Sequence, residues 1–291
     1  MTLAPFRIAL VGDLHAAWDD ADAAYFGSSD YRQVLITGDL GSSAGGNGVK
    51  IAQSLSRIAR DTLVMPGNND ARDYAAIVAE LHYQAGRGEL LAGLVSSRRG
   101  SALGRYRVQI CGYSLHPMRF GDFEVTLVAG RPFAMGGSDL SFPRELRDIF
   151  RVDSIEVSTE RLKRLIDEVE TEHVLFLAHN GPSGLGDSRE SPFGRDFHPN
   201  AGDWGDRDLA EAIAYAKQRG QKVLCVLAGH MHWSLRGGGS RSWHVEQDGV
   251  LYVNAARVPR HVRHGQGARR HHLALTLTPE GASVEEVWVF I

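Results

Sequence analysis

FRIALVGDLH (residues 6–15), QVLITGDL (33–40) and TLVMPGNND (62–70) follow one pattern: a short apolar run that breaks at a glycine-bearing, polar corner. A strand, a crossover helix and the return to a parallel neighbour take ~30 residues. The corners recur at about that spacing, at Asp13, Asp39 and Asn68, which predicts consecutive βαβ units with all three corners on one sheet edge. The runs are continuous rather than alternating, so the sheet should be covered on both faces. Two later runs end in the same way. Residues 174–178 lead into His179-Asn180-Gly181-Pro182, and 222–228 into Gly229-His230-Met231-His232.

Between these blocks the pattern changes. Residues 105–128 alternate loosely around Gly112, Gly121 and Gly130, as antiparallel strands would. A helix is predicted over 158–171 with Ser158 as its cap, and another over 209–219. Beyond His232 the chain reads as strands at 242–245, 250–254, 272–278 and 284–290. Parallel units first and antiparallel strands last predict an α/β fold of two mixed sheets packed face to face with helices outside. No linker divides the chain, so residues 1–291 are expected to form a single domain.

Composition narrows the function. The 291 residues are 43% hydrophobic and 23% charged, which excludes disorder over most of the length. Against 32 Lys and Arg stand 35 Asp and Glu, a net charge of −3, so no global field draws the protein to nucleic acid or anionic lipid. The two cysteines, Cys111 and Cys225, exclude a disulfide scaffold and suit a reducing compartment. No apolar run approaches the ~20 residues of a membrane span. Residues 1–12 lack a basic leader with its own apolar segment, so the expectation is a mature, cytoplasmic chain with no membrane partner.

Five strand ends thus deliver Asp13 with His15, Asp39, Asn68, His179, and His230 with His232. Ligands of open α/β sheets bind outside the carboxyl ends of strands, where these groups would meet. Carboxylate, imidazole and amide oxygen together suit divalent Mn, Fe, Co, Ni or Zn. Seven donors are too many for one ion and enough for two that share a carboxylate.

The ordered set Asp13-Leu14-His15, Gly38-Asp39, Gly67-Asn68-Asn69-Asp70, His179 and Gly229-His230-Met231-His232 resembles the calcineurin-like metallophosphoesterases, from residue 6 to about 255. The resemblance implies a four-layer α/β/β/α sandwich. It implies one ion on Asp13, His15 and His232, a second on Asn68, His179 and His230, and Asp39 as the bridge. It also implies a dinuclear hydrolase in which a hydroxide shared by the metals attacks phosphorus in line.

The chain departs from that family at one position. Many relatives carry His after the Asn ligand, where it serves the leaving group; here Asn69 stands there. An amide donates a hydrogen bond but transfers no proton, and general acid catalysis is worth ~10²–10⁴-fold. Asn69, Asp39 and His198 are the catalytic candidates, His198 as a replacement acid or else a plain surface histidine. The loop 181–208, which carries His198, is long enough to cover a substrate. Residues 257–272 form a basic hairpin region without an acid, from which Arg257 and Arg260 join Asn69 as candidate substrate contacts; a solvated hairpin tip is the alternative. Asp70 could orient Asn68 or its loop. His82, His116, His173 and His244 are expected to be surface or core residues.

The expected function is hydrolysis of a phosphodiester or cyclic phosphodiester with two divalent ions, Mn²⁺ first among them and Fe, Zn, Ni or Co also suited to the donors. A phosphomonoesterase acting on proteins or nucleotides, or a catalytically weak metal-bound interaction module, are the alternatives. The partner would be a small phosphate ester or nucleotide, since the basic region lacks the aromatic interleaving of an extended nucleic-acid groove.

Overall fold

The run at the N-terminal end forms β1 (Phe6–Val11), and the two runs that follow form β2 (Gln33–Ile36) and β3 (Thr62–Val64). Val11 pairs with Ile36 and Ile36 with Val64, all parallel, so the three corners leave the sheet at one level. Helices α1 (Asp20–Ser28), α2 (Gly48–Leu55) and α3 (Tyr74–Tyr83) bury Phe26, Leu55, Ile77 and Leu81 against Val11, Val34, Ile36 and Val64. A third parallel neighbour, β4 (Val108–Ile110), completes that side of the sheet. The computed structural model describes residues 6–42, 46–83, 107–265 and 267–291.

The chain then crosses to a second sheet. Strands β5 (Ser114–Phe120) and β6 (Phe123–Ala129) form an antiparallel hairpin, and β7 (His173–Leu177) and β8 (Lys222–Ala228) extend β6 in parallel. Helices α4 (Ile155–Asp167) and α5 (Arg207–Gln218) lie between these strands in sequence and cover the outer face through Leu162, Ile166, Ala212 and Ile213. Strand β9 (His244–Gln247) pairs antiparallel with β10 (Val250–Asn254), which runs parallel to β8. The chain returns to the first sheet as β11 (His261–His264), β12 (Gly267–Leu277) and β13 (Ala282–Phe290), with β12 antiparallel to β1. Ile8, Leu10, Leu35 and Leu273 meet Val125, Leu127, Leu177 and Leu227 between the sheets. The result is a four-layer α/β/β/α sandwich. No helix among the described residues is long and apolar enough to cross a membrane.

Three local expectations need correction. Residues 105 and 106 lie outside the described residues; of the remainder, β4 is parallel and belongs to the first sheet, its three residues being too few to show alternation. Helix α4 begins after Ser154, whose Oγ accepts from Val157 N at 3.2 Å, so Ser158 is not the cap. Ser158 is buried inside the helix, bonded to the Tyr113 hydroxyl and to Asp208. Strand β12 begins at Gly267, so the basic residues Arg269 and Arg270 lie within a strand rather than at a hairpin tip. Of the basic region, residue 266 is outside the described residues.

One buried ionic knot fixes the second sheet to its helices. Arg131, after β6, donates from Nε to Asp208 at 2.8 Å and from Nη2 to Asp206, with all three side chains nearly inaccessible. Asp206 in turn donates its N–H to Gly181 O, which closes the base of the loop 181–208. Removing Arg131 would leave two buried carboxylates uncompensated, at a cost of about 3–5 kcal/mol. Urea unfolding of Arg131→Ala should therefore show a loss of that size. Arg57→Ala, which breaks an exposed pair with Asp20, should change stability by no more than about 1 kcal/mol.

Candidate metal centre

The five corners are laced together by their backbones. Leu14 N donates to Gly38 O at 3.2 Å, His15 N to Asp39 O at 2.7 Å, and Gly229 N to His179 O at 2.7 Å. Two glycines permit the approach. A Cβ on Gly67 would stand 2.2 Å from Asp39 Oδ1, and one on Gly229 would stand 2.2 Å from Asp13 Oδ1. His15, Asp39 and His230 hold left-handed φ values of 42°, 49° and 67°. Such conformations cost ~1–3 kcal/mol each in residues with a Cβ and persist only where the surroundings enforce them.

These turns aim two groups of donors at each other. Asp13, His15 and His232 form one group, and Asp39, His179 and His230 the other, with the donor atoms of each group within 4.8 Å of one another. Asp39 lies between them: Oδ2 is 3.5 Å from His15 Nε2 and Oδ1 is 3.4 Å from His179 Nε2. His15 Nε2 and His232 Nε2 are 2.9 Å apart. The seventh residue, Asn68, brings Oδ1 to 2.9 Å from His179 Nε2. All seven sequence candidates for the metal thus converge.

Two buried carboxylates at one point repel each other. Burial, and then the neighbouring Asp13, push the Asp39 carboxyl well above the ordinary range. Burial would raise Asp13 too, but His179, His232 and His15 and the His230 N–H outweigh it and hold Asp13 low. Burial, with His179 beside it, lowers His230 to about 3, and burial lowers His15. Among the described residues every ion pair of Asp13 and Asp39 is with a histidine, and none with Lys or Arg. The donor set therefore fits divalent cations, because imidazoles and carboxylates gathered away from Lys and Arg are what such ions require.

The outer partners fit as well. His179 Nδ1 is 2.6 Å from Thr37 O, and the His230 ring bonds the Met135 carbonyl, so each turns its other nitrogen inward. Asn68 Nδ2 donates to Asn69 Oδ1 at 3.3 Å, which leaves the Asn68 oxygen facing His179. Asn69 donates to Asp39 twice, from N to Oδ1 and from Nδ2 to Oδ2, both at 2.9 Å. Asp70 accepts from Gly67 N at 2.8 Å and Leu40 N at 2.9 Å and so clips two corners together.

Other candidates are placed differently. Arg260 is corrected as a substrate contact: its side chain is 2% exposed and donates to Asp22, to Ala17 O and to His271 O. The acid that charge counting near residue 260 missed comes from α1. Arg257 lies over the Trp233 and Trp288 rings. His198 is exposed on its loop, with Nδ1 3.3 Å from Asn200 N.

Arg241 escaped the sequence reading. Its buried guanidinium donates from Nε to His232 O at 2.7 Å and from Nη1 to the carbonyls of Arg189, Ser191 and Gly194, and its Nη2 pairs with Asp196 at 3.2 Å. One side chain thus ties the loop 181–208 to the backbone of a metal-group histidine. A lone arginine after three glycines carries no local signal of this.

The family profile for calcineurin-like phosphoesterases matches residues 6–234. No curated protein matches the chain. Among solved structures, TT1561 of Thermus thermophilus aligns over 97% of this chain and 99% of that one with a TM-score of 0.54 at 13% identity. A metallophosphoesterase from Sphaerobacter thermophilus aligns over 98% and 89% with a TM-score of 0.32 at 14% identity. At such identity the likeness to TT1561 is one of fold. The profile covers most of the chain and every corner that feeds the donor cluster, and the protein belongs to the calcineurin-like phosphoesterase family.

Proposed function

We propose that this chain is a two-metal phosphodiesterase, formed as one domain, that acts on a small phosphodiester or cyclic phosphodiester such as a cyclic nucleotide. Asp13, His15 and His232 would hold one cation, Asn68, His179 and His230 the other, and Asp39 both, with Mn²⁺ the ion that restores activity best. When bound, two such ions neutralise phosphoryl oxygens and lower the pKa of a shared water. The chain's own contribution is to hold the donors in place: Asn69 pins both oxygens of Asp39, and Thr37 and Met135 fix the rings of His179 and His230.

The diester preference rests on Asn69. It occupies the proton-donor position of the family motif, yet its amide is bonded to Asp39 and has no proton to transfer. A leaving group must then depart with little protonation, which favours an acidic or strained ester over an unactivated monoester. His198 is the proposed substitute acid for substrates that reach the loop, because it is an exposed imidazole on that loop. The buried, unpaired Cys111 and Cys225 support a reducing, cytoplasmic setting.

Two measurements check this reading. The Mn²⁺-loaded protein should hydrolyse bis-p-nitrophenyl phosphate with a higher kcat/KM than p-nitrophenyl phosphate, and Asn69→His should raise the rate on an unactivated alkyl monoester such as β-glycerophosphate ~10²-fold while changing the p-nitrophenyl esters little; a wild-type preference for the monoester would contradict it. Arg241→Ala should weaken Mn²⁺ binding by about 10–100-fold in calorimetric titration, with no rescue by Arg241→Lys, which cannot reproduce the fork. An unchanged affinity would detach the loop anchor from the metal centre.

A further inference from the structure

Four buried arginines, Arg131, Arg241, Arg260 and Arg270, each meet an aspartate. Arg257 and Arg269 do not. Among the described residues neither guanidinium has a carboxylate or hydrogen-bond partner, and the Nε of each is buried without one. Instead both stack on the same indole, with Arg257 Cζ 4.8 Å and Arg269 Cζ 4.9 Å from the Trp288 centroid. Arg257 also lies 5.3 Å from the Trp233 centroid, and Arg269 5.5 Å from that of Phe290. Stacking on one indole holds both cations in the same neighbourhood with their Nη donors free of partners among the described residues, as binding an oxyanion requires.

Register explains the grouping. Arg269 pairs with Phe290 and His271 with Trp288 across β12 and β13, so these side chains share one face. Glu286, the carboxylate on that face, has Oε2 3.4 Å from His271 Nε2, on the β12 side of the strand pair.

The pair is tied to the metal centre through two short connections. Ala255, two residues before Arg257, turns its carbonyl to within 1.8 Å of where a Cβ on Gly12 would stand, and Gly12 precedes Asp13. Trp233, on which Arg257 lies, follows His232 and donates its N–H to Ala256 O at 3.1 Å. The His232 side chain is 41% exposed, whereas that of His179 is fully buried, so the His232 side is where the centre opens to solvent.

We propose that Arg257 and Arg269, held on Trp288, bind a second phosphate of the substrate, so that the preferred diester carries a phosphate group besides the scissile one. This rests on the phosphodiesterase reading above, and the test separates the two. In the first arm, EDTA-treated protein is titrated calorimetrically with inorganic pyrophosphate. Binding should weaken about tenfold in Arg269→Gln and be lost in the Arg257→Gln/Arg269→Gln double variant, each checked by thermal melting. Arg269 is half-buried, so the single variant keeps the test intact if the double variant does not fold.

In the second arm, the Mn²⁺-loaded protein is given thymidine 5′-(p-nitrophenyl phosphate) with and without a 3′-phosphate. The 3′-phosphate should raise kcat/KM about tenfold, and Arg269→Gln should abolish that advantage while changing the plain substrate less than about twofold. Equal pyrophosphate affinity in wild type and variants, or an equal fall on both substrates, would overturn the proposal and leave the arginines a packing role. Arginine-dependent pyrophosphate binding without turnover of either ester would support the anion site and overturn the diesterase reading instead.

Discussion

Two carboxylates, Asp13 and Asp39, are buried at one point among histidines, amides, backbone N–H groups and the Thr37 hydroxyl, and among the described residues neither is paired with Lys or Arg. Burying one unpaired carboxylate is costly, and burying a second beside it costs more, because neither can ionise without opposing the other. The architecture answers to that constraint. Parallel strand ends in two sheets bring the corners to one edge, left-handed turns at His15, Asp39 and His230 aim the side chains inward, and glycines at 67 and 229 leave room for the carboxylate oxygens. Hydrophobic burial between and outside the sheets supplies the stability from which such local costs are met.

The parts of the centre that the sequence revealed are those whose chemistry is local. A strand end followed by Gly-Asp or Gly-His-Met-His states both a backbone conformation and a polar side chain within a few residues, and the seven candidates that converge were legible for that reason. The parallel order of β1 to β3 was legible from the recurrence of the same grammar. Long-range pairing was not. Arg260 reads as a free cation beside other basic residues, yet its partner Asp22 lies more than two hundred positions away on α1. Arg241 has no local mark at all, since its role is defined by carbonyls on a loop some fifty residues earlier. Ser154 and Ser158 are equivalent as caps in sequence, and only the burial of Ser158 against Tyr113 and Asp208 separates them.

Substrate choice in this account follows from two features of the same region. Asn69 trades proton donation for a firm grip on Asp39, which restricts the leaving group. The arginines stacked on Trp288, one of them two residues beyond Ala255 at the Asp13 corner, would set a charge requirement on the rest of the substrate. The loop anchored by Arg241 to the His232 carbonyl and closed at its base by Asp206 and Arg131 reaches the same centre, with Trp204 donating to the Met135 carbonyl. Binding, positioning and stability thus share side chains, and a change at one of them is expected to be felt at the others.

The central claim is that the buried carboxylates exist to hold a pair of cations. Anomalous diffraction from crystals grown with Mn²⁺ tests it most directly. The account predicts two manganese peaks about 3.5–4 Å apart, with Asp39 touching both and the remaining donors divided as described. A single peak, or none among these residues, would contradict it.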